Sequence, residues 1–250
     1  MNSHKLPVIS TFLEAISLPY KHYRMLLKVG LPLIISSGSL TVLGRFFSDA
    51  GTTVPSITLG LFIGIIFCIS LVMAIVGCHR IFLIGPCVVE DEKLFNWTGN
   101  EVKYAGWWIL ISICVGLIAI PFSIVVMPFI GSLKGTLIEK GAIFFLLIGL
   151  VNAPIYYFAA RWSLVLPSSA IGRHGNSLTW SWRLSEGNGW RLTLLVGIFP
   201  FIINTLFTLL PEYESVFYAL FCGAVGLVAG VVEIGLLSLS YAFLAQERNV

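Results

Sequence analysis

Residues 55–79 read PSITLGLFIGIIFCISLVMAIVGCH, twenty-five positions without an Asp, Glu, Lys or Arg until Arg80. A helix rises about 1.5 Å per residue, so this run is long enough to cross the roughly 30 Å of hydrocarbon in a bilayer. Five further apolar runs share the property, at 26–44, 105–130, 141–161, 192–210 and 216–244. The pattern predicts an all-α integral membrane protein with six transmembrane helices. It divides the chain into an N-terminal interfacial amphipathic helix over 1–25 and a six-helix transmembrane domain over 26–250.

The gaps between the runs set the orientation. Of the 15 Lys and Arg residues, Lys5, Lys21, Arg24, Lys28, Arg80, Lys93, Lys103, Arg161, Arg173, Arg183, Arg191 and Arg248 fall on one side. Only Arg45, Lys134 and Lys140 fall on the other. Cationic residues resist translocation, so the first set is expected to be cytoplasmic, with both chain ends inside. Composition agrees: 57% hydrophobic and 11% charged residues leave too little polar surface to coat a soluble globule. The net charge of +3 flanks the membrane instead of forming a solvated face, which favours membrane lipids as partners and argues against nucleic acid.

The five cysteines, at 68, 78, 87, 114 and 222, form no CxxC pair and read as small buried hydrophobes. No signal-peptide core opens the chain. Instead Ile9, Phe12, Leu13, Ile16 and Tyr20 recur at helical spacing, predicting an amphipathic helix on the inner membrane surface. Asn96-Trp97-Thr98 matches a glycosylation acceptor, but its loop is predicted to be cytoplasmic.

The chain also resembles itself. Tyr23 to Gly30 before Pro32 matches Trp190 to Gly197 before Pro200, and a looser copy runs from Trp107 and Trp108 through Val115-Gly116 to Pro121. Arg80 precedes Pro86 by six residues, as Arg161 precedes Pro167, and Trp97/Trp107 and Trp180/Trp190 are each ten apart. A tandem unit of one outward span, one inward span and an interfacial segment, used three times, accounts for these matches. Pro86 and Pro167 are expected to mark the exits from two inward spans, with the following stretches lying along the cytoplasmic surface. There Trp97, Trp107, Trp180, Trp182 and Trp190, with Arg183 and Arg191, are placed as interfacial anchors, or alternatively as a headgroup or partner site. Segment 176–186 is predicted to be a short helix ended by Gly187.

The stretch Arg161 to Pro167, with Ser181-Trp182-Arg183-Leu184-Ser185, Gly187 and Trp190-Arg191-Leu192, resembles the signature of a group of bacterial six-span inner-membrane proteins. The group contains the YciC-like proteins and the membrane domain attached to some glycerophosphodiester phosphodiesterases. The resemblance is clearest over 155–200. It implies a fold, a bacterial cytoplasmic membrane location and links to envelope or lipid homeostasis, but not hydrolysis, which belongs to a separate soluble domain. The acidic Glu90-Asp91-Glu92 departs from the pattern and puts a shared partner in doubt.

Ionisable groups inside hydrocarbon are costly, and Glu233 is the strongest such group here. Aligning the inward spans on their apolar tails sets it opposite Arg80 and Arg161. The expectation is an intramembrane polar cluster of Glu233, Arg80 and Arg161, either a structural clasp or the lining of a site for a lipid headgroup or small solute. Asn152 and Asn204 are candidate interhelical hydrogen-bonding amides. Gly226 and Gly230 make a GxxxG step that permits close helix approach. None of the four histidines stands at i, i+4 from another, and no base adjoins Ser36-Ser37 or Ser168-Ser169. The expected function is therefore a non-catalytic membrane component, a complex partner or lipid-homeostasis factor, without metal or cofactor. The alternative is a carrier using the Glu233 cluster.

Overall fold

The structure is a computed structural model that describes residues 5–50, 54–87, 97–132, 142–208 and 216–248. Glu90-Asp91-Glu92, Lys93, Asn96, Lys134 and Lys140 lie outside the described residues. Among the described residues every regular element is helical, and five helices are long and apolar enough to cross a membrane.

Helix α1 (Val8–Lys21) begins at the extended Pro7 and ends at His22, whose N–H still reaches Leu18 O at 3.0 Å. Helix α2 (Tyr23–Ala50) follows at once and packs against α3 (Val54–Leu83). Helix α3 stops where Gly85 takes φ +119°, a left-handed conformation that costs glycine little. Helix α4 (Gly99–Ser132) opens with a threonine-to-glutamate cap described below.

The 141–161 run departs from the expected single span. It forms α5 (Ala142–Val151) and α6 (Ala153–Ser163), and neither piece alone is long enough to cross. The cause is Pro154, which has no N–H for the preceding turn. Continuity is largely kept, because the Asn152 N–H bonds Ile148 O at 3.0 Å and Asn152 O accepts from the Tyr156 N–H at 3.1 Å.

Beyond α6 the chain folds inward. Helix α7 (Val165–Ala170) has all six residues buried, and it packs on α3, α4 and α11 (Val216–Glu247). Pro167 therefore sits inside a buried plug, where a surface segment had been expected. Helix α8 (Leu178–Leu184) is started by Ser177, whose hydroxyl accepts from the Trp180 N–H at 3.0 Å, and the turn after it contains Gly187 at φ +80°. Helix α9 (Gly189–Thr193) then runs through a π-helical turn (Leu194–Ile198) into α10 (Phe199–Thr208). Pro200 cannot donate to Val196 O, and the Phe199 N–H bonds Leu194 O, one residue further back than in an α-helix.

Packing is concentrated at one end of the bundle. Ile81, Glu101, Leu164, Leu192, Leu195, Leu236 and Leu244 are fully buried near the C-terminal ends of α3 and α6, while Ile35, Phe62, Leu117, Val125, Leu206 and Phe221 are exposed toward the other end. Such apolar faces would be unstable in water and are ordinary against acyl chains. Gly197 brings the π turn against α6, since a Cβ there would lie 2.8 Å from Tyr156 Cβ. The matching Gly30 and Gly116 have no atom within 4 Å of that position, so the three sequence copies pack differently. Gly197→Val should cost about 1–3 kcal/mol through overpacking, whereas Gly116→Val should be nearly silent. Thermal unfolding in detergent distinguishes the two.

Candidate functional site

The polar residues gather around the C-terminal ends of α3 and α6, in two guanidinium centres and one imidazole contact. Arg80 ends α3 with only 7% of its surface exposed. Its Nη2 lies 3.0 Å from Glu101 Oε1, its Nε donates to Ala170 O at 3.1 Å, and Nη2 also reaches Thr98 Oγ1 at 3.4 Å. The other oxygen of Glu101 accepts from the Thr98 N–H at 2.7 Å and from the Thr98 hydroxyl. Glu101 thus reaches back to the Thr98 N–H as in a capping box, Thr98 Oγ1 accepts from the Asn100 N–H at 3.3 Å, and the same carboxylate compensates the buried cation. Through Ala170 the guanidinium also takes up a terminal carbonyl of α7.

Arg161 is as buried, at 6% exposure, but its partners are neutral. Nε donates to Ser185 Oγ at 2.7 Å, Nη1 to the Tyr157 hydroxyl at 3.0 Å and Nη2 to Trp182 O at 2.5 Å. The guanidinium lies 3.5 Å from the centre of the Trp182 ring and 5.4 Å from that of Tyr157. In return Ser181 Oγ donates to Arg161 O at 2.5 Å and Trp162 O at 3.2 Å, capping the end of α6. Phe158 stacks on Trp182 at 5.6 Å, and Trp190 meets Tyr157 at 4.8 Å, closing an aromatic wall around the cation.

His79 is fully buried between α3, α4 and α11. Its Nδ1 lies 2.7 Å from Ser238 Oγ, which is also 2.8 Å from Ile234 O. The other ring nitrogen, Nε2, faces the Tyr104 hydroxyl at 3.5 Å. His79 is level with Ser238, and the C-terminal ends agree: Arg80 reaches Ala170 while Arg173 reaches Tyr241 at 2.9 Å. Helices α3 and α11 therefore run in the same direction.

That register separates residues the sequence had grouped. Glu233 lies five residues before Ser238, about 9 Å in depth from Arg80. Among the described residues no ion pair or hydrogen bond joins Glu233 to either arginine, and Glu233 itself is partly exposed. Alignment on apolar tails misjudged the depth because α11 continues past the level where α3 and α6 end. Arg80 had a nearer carboxylate in Glu101, which the Thr-x-x-Glu spacing before an apolar run could have revealed.

The other expected residues are distributed as follows. Asn152 and Asn204 turn their amides back on their own helices, donating to Ile148 O at 2.7 Å and Pro200 O at 2.9 Å. Interhelical bonds had been expected, but in hydrocarbon the nearest carbonyl of the same helix satisfies the donor at no cost in helix approach. Trp97 and Trp190 are exposed at 42% and 64%, and Arg183 is exposed. Trp107, Trp180 and Trp182 pack partly against the core. Arg191 binds the N-terminal segment, donating to Leu6 O at 2.9 Å. Gly226 and Gly230 face open space, with no atom within 4 Å of a would-be Cβ.

Comparisons with protein-family models, with curated proteins and with solved structures return no match.

Proposed function

We propose that this protein is a non-catalytic multi-pass component of the bacterial cytoplasmic membrane, acting as a partner in a membrane complex or as a factor in envelope-lipid homeostasis. In this reading α5 and α6 cross end to end, giving six spans in three tandem units, with both termini cytoplasmic. One observation carries the proposal: Arg80, Glu101 and Arg161 have their donors and acceptors directed at loop backbones and helix ends, so the charged centre holds the inner loops to the bundle. The broad apolar faces toward the other end of the bundle are then the surface offered to lipid or to a partner helix. The likeness of residues 155–200 to the YciC-like group points the same way.

A carrier for a lipid or small solute is the second reading, favoured by Glu233, a partly buried carboxylate without an ion pair among the described residues. Purification in mild detergent separates the two. A stoichiometric protein partner, unaffected by Glu233→Gln, is expected for the first. Bound phospholipid lost on Glu233→Gln would replace it with the second. The six-span topology requires compartment-sensitive reporters in the 131–140 loop and at the C-terminus to report opposite sides, and a common side would remove it.

A further inference from the structure

The main chain of Leu6 is gripped from two sides by the start of α9, through its N-cap Asn188 and its Arg191. Its N–H donates to Asn188 Oδ1 at 2.8 Å, and its C=O accepts from Arg191 Nη1 at 2.9 Å. The Leu6 side chain is fully buried, and Asn188 is 3% exposed. One residue thus offers donor, acceptor and apolar side chain to a matching amide, guanidinium and pocket, which is how peptide sites read an extended segment. The partners are 182 and 185 residues away in sequence, so the contact is wholly tertiary.

Pro7 follows at φ −81° and ψ 91° and leads directly into α1, so Leu6 and α1 move as one piece. The helix itself packs along α11 on one face only. Thr11, Ala15 and Leu18 are its buried residues, and its closest approach is to α11 at Gly235, where a Cβ would lie 2.7 Å from Leu18 Cδ1. Phe12 adds a ring contact to Phe199 at 4.1 Å. A neighbouring stripe is bare and apolar: Ile9 is 75% exposed, Leu13 60%, Ile16 48% and Tyr20 87%. Such a stripe is at home in the interfacial layer of a bilayer whether or not the helix touches α11.

We propose that Asn188 and Arg191 form a main-chain docking site whose ligand is this chain's own Lys5-Leu6-Pro7 segment, and that the site is a releasable latch for α1. When the latch is occupied, α1 lies against Gly235 of α11. When it is vacated, α1 leaves the bundle as a unit and stays in the lipid surface by its apolar stripe. Any ligand that competes for the Arg191 guanidinium would therefore free the helix.

Hydrogen exchange on the full chain in lipid nanodiscs tests this, comparing the parent with Asn188→Ala, Arg191→Ala and Arg183→Ala. Loss of one such bond should accelerate exchange over residues 8–21 by about 10- to 100-fold as a single block. Residues 236–244 and 101–108 should keep their parental rates, and Arg183→Ala should change nothing in α1. Leu6→Pro removes the donor from the other partner, leaves the loop intact, and should produce the same block. Parental rates in α1 for all latch variants would overturn the proposal. So would equal acceleration throughout the bundle, which would make these residues general supports of the fold.

Discussion

Glu101→Ala is expected to destabilise the protein by about 3–5 kcal/mol, because it removes the buried carboxylate that lies 3.0 Å from the Arg80 guanidinium. The Arg80 side chain is 8% exposed and that of Glu101 3%, so water cannot replace the lost partner without opening the junction of α3, α4 and α7. Part of the loss, about 1 kcal/mol, comes from the cap, since the Thr98 N–H and hydroxyl lose their acceptor at the start of α4. Arg80→Leu should be harmful for the converse reason, by stranding Glu101. The double variant should cost well under the sum, because the interaction between the two side chains is then lost only once. Unfolding of all four proteins in one detergent, by temperature or denaturant, completes the cycle. An additive double variant would mean that the two side chains do not act as a pair.

Arg161→Leu should lower stability by about 2–4 kcal/mol through a different route, since no carboxylate is stranded. The cost arises from the groups left behind. The Tyr157 hydroxyl and Ser185 Oγ each lose a bond at the arginine, and the Trp182 face loses a cation at 3.5 Å. Trp182 O is spared complete loss, because Ser185 Oγ also donates to it at 3.0 Å. Arg161→Lys should recover only part of the deficit, since an ammonium cannot span three partners in the guanidinium plane or stack as broadly on the indole. The damage should be local to α8 and its flanking turns, so trypsin should cut faster after the exposed Arg183. An unchanged cleavage rate with a lowered melting temperature would refute that localisation.

These two centres were only half visible in the linear chain. Arg80 and Arg161 could be singled out, because a cation at the end of a long apolar run is conspicuous. Their partners could not be assigned by analogy with each other. Arg80 found an acid 21 residues later, while Arg161 found hydroxyls and ring faces up to 24 residues later. The difference lies in how each loop returns, and loop return is not periodic. Glu101 was the exception, since Thr98-x-x-Glu101 announces a cap whatever the loop does. Glu233 illustrates the opposite case: its presence in a span was plain, but its level relative to Arg80 followed from the contact between His79 and Ser238, a register set by side-chain packing across 159 positions.

Residue order alone was sufficient for the helical class and for the apolar runs, of which it expected six as spans and five form helices long and apolar enough to cross a membrane, because transfer into hydrocarbon depends on composition summed over a window and every backbone group must be satisfied within its own helix. Folding in three dimensions was needed for the break at Asn152, the burial of α7, the separation of Glu233 from the arginines and the seizure of Leu6 by Asn188 and Arg191. Each of these depends on which carbonyl, ring or carboxylate comes within about 3 Å of a given donor, a distance that hydropathy does not encode.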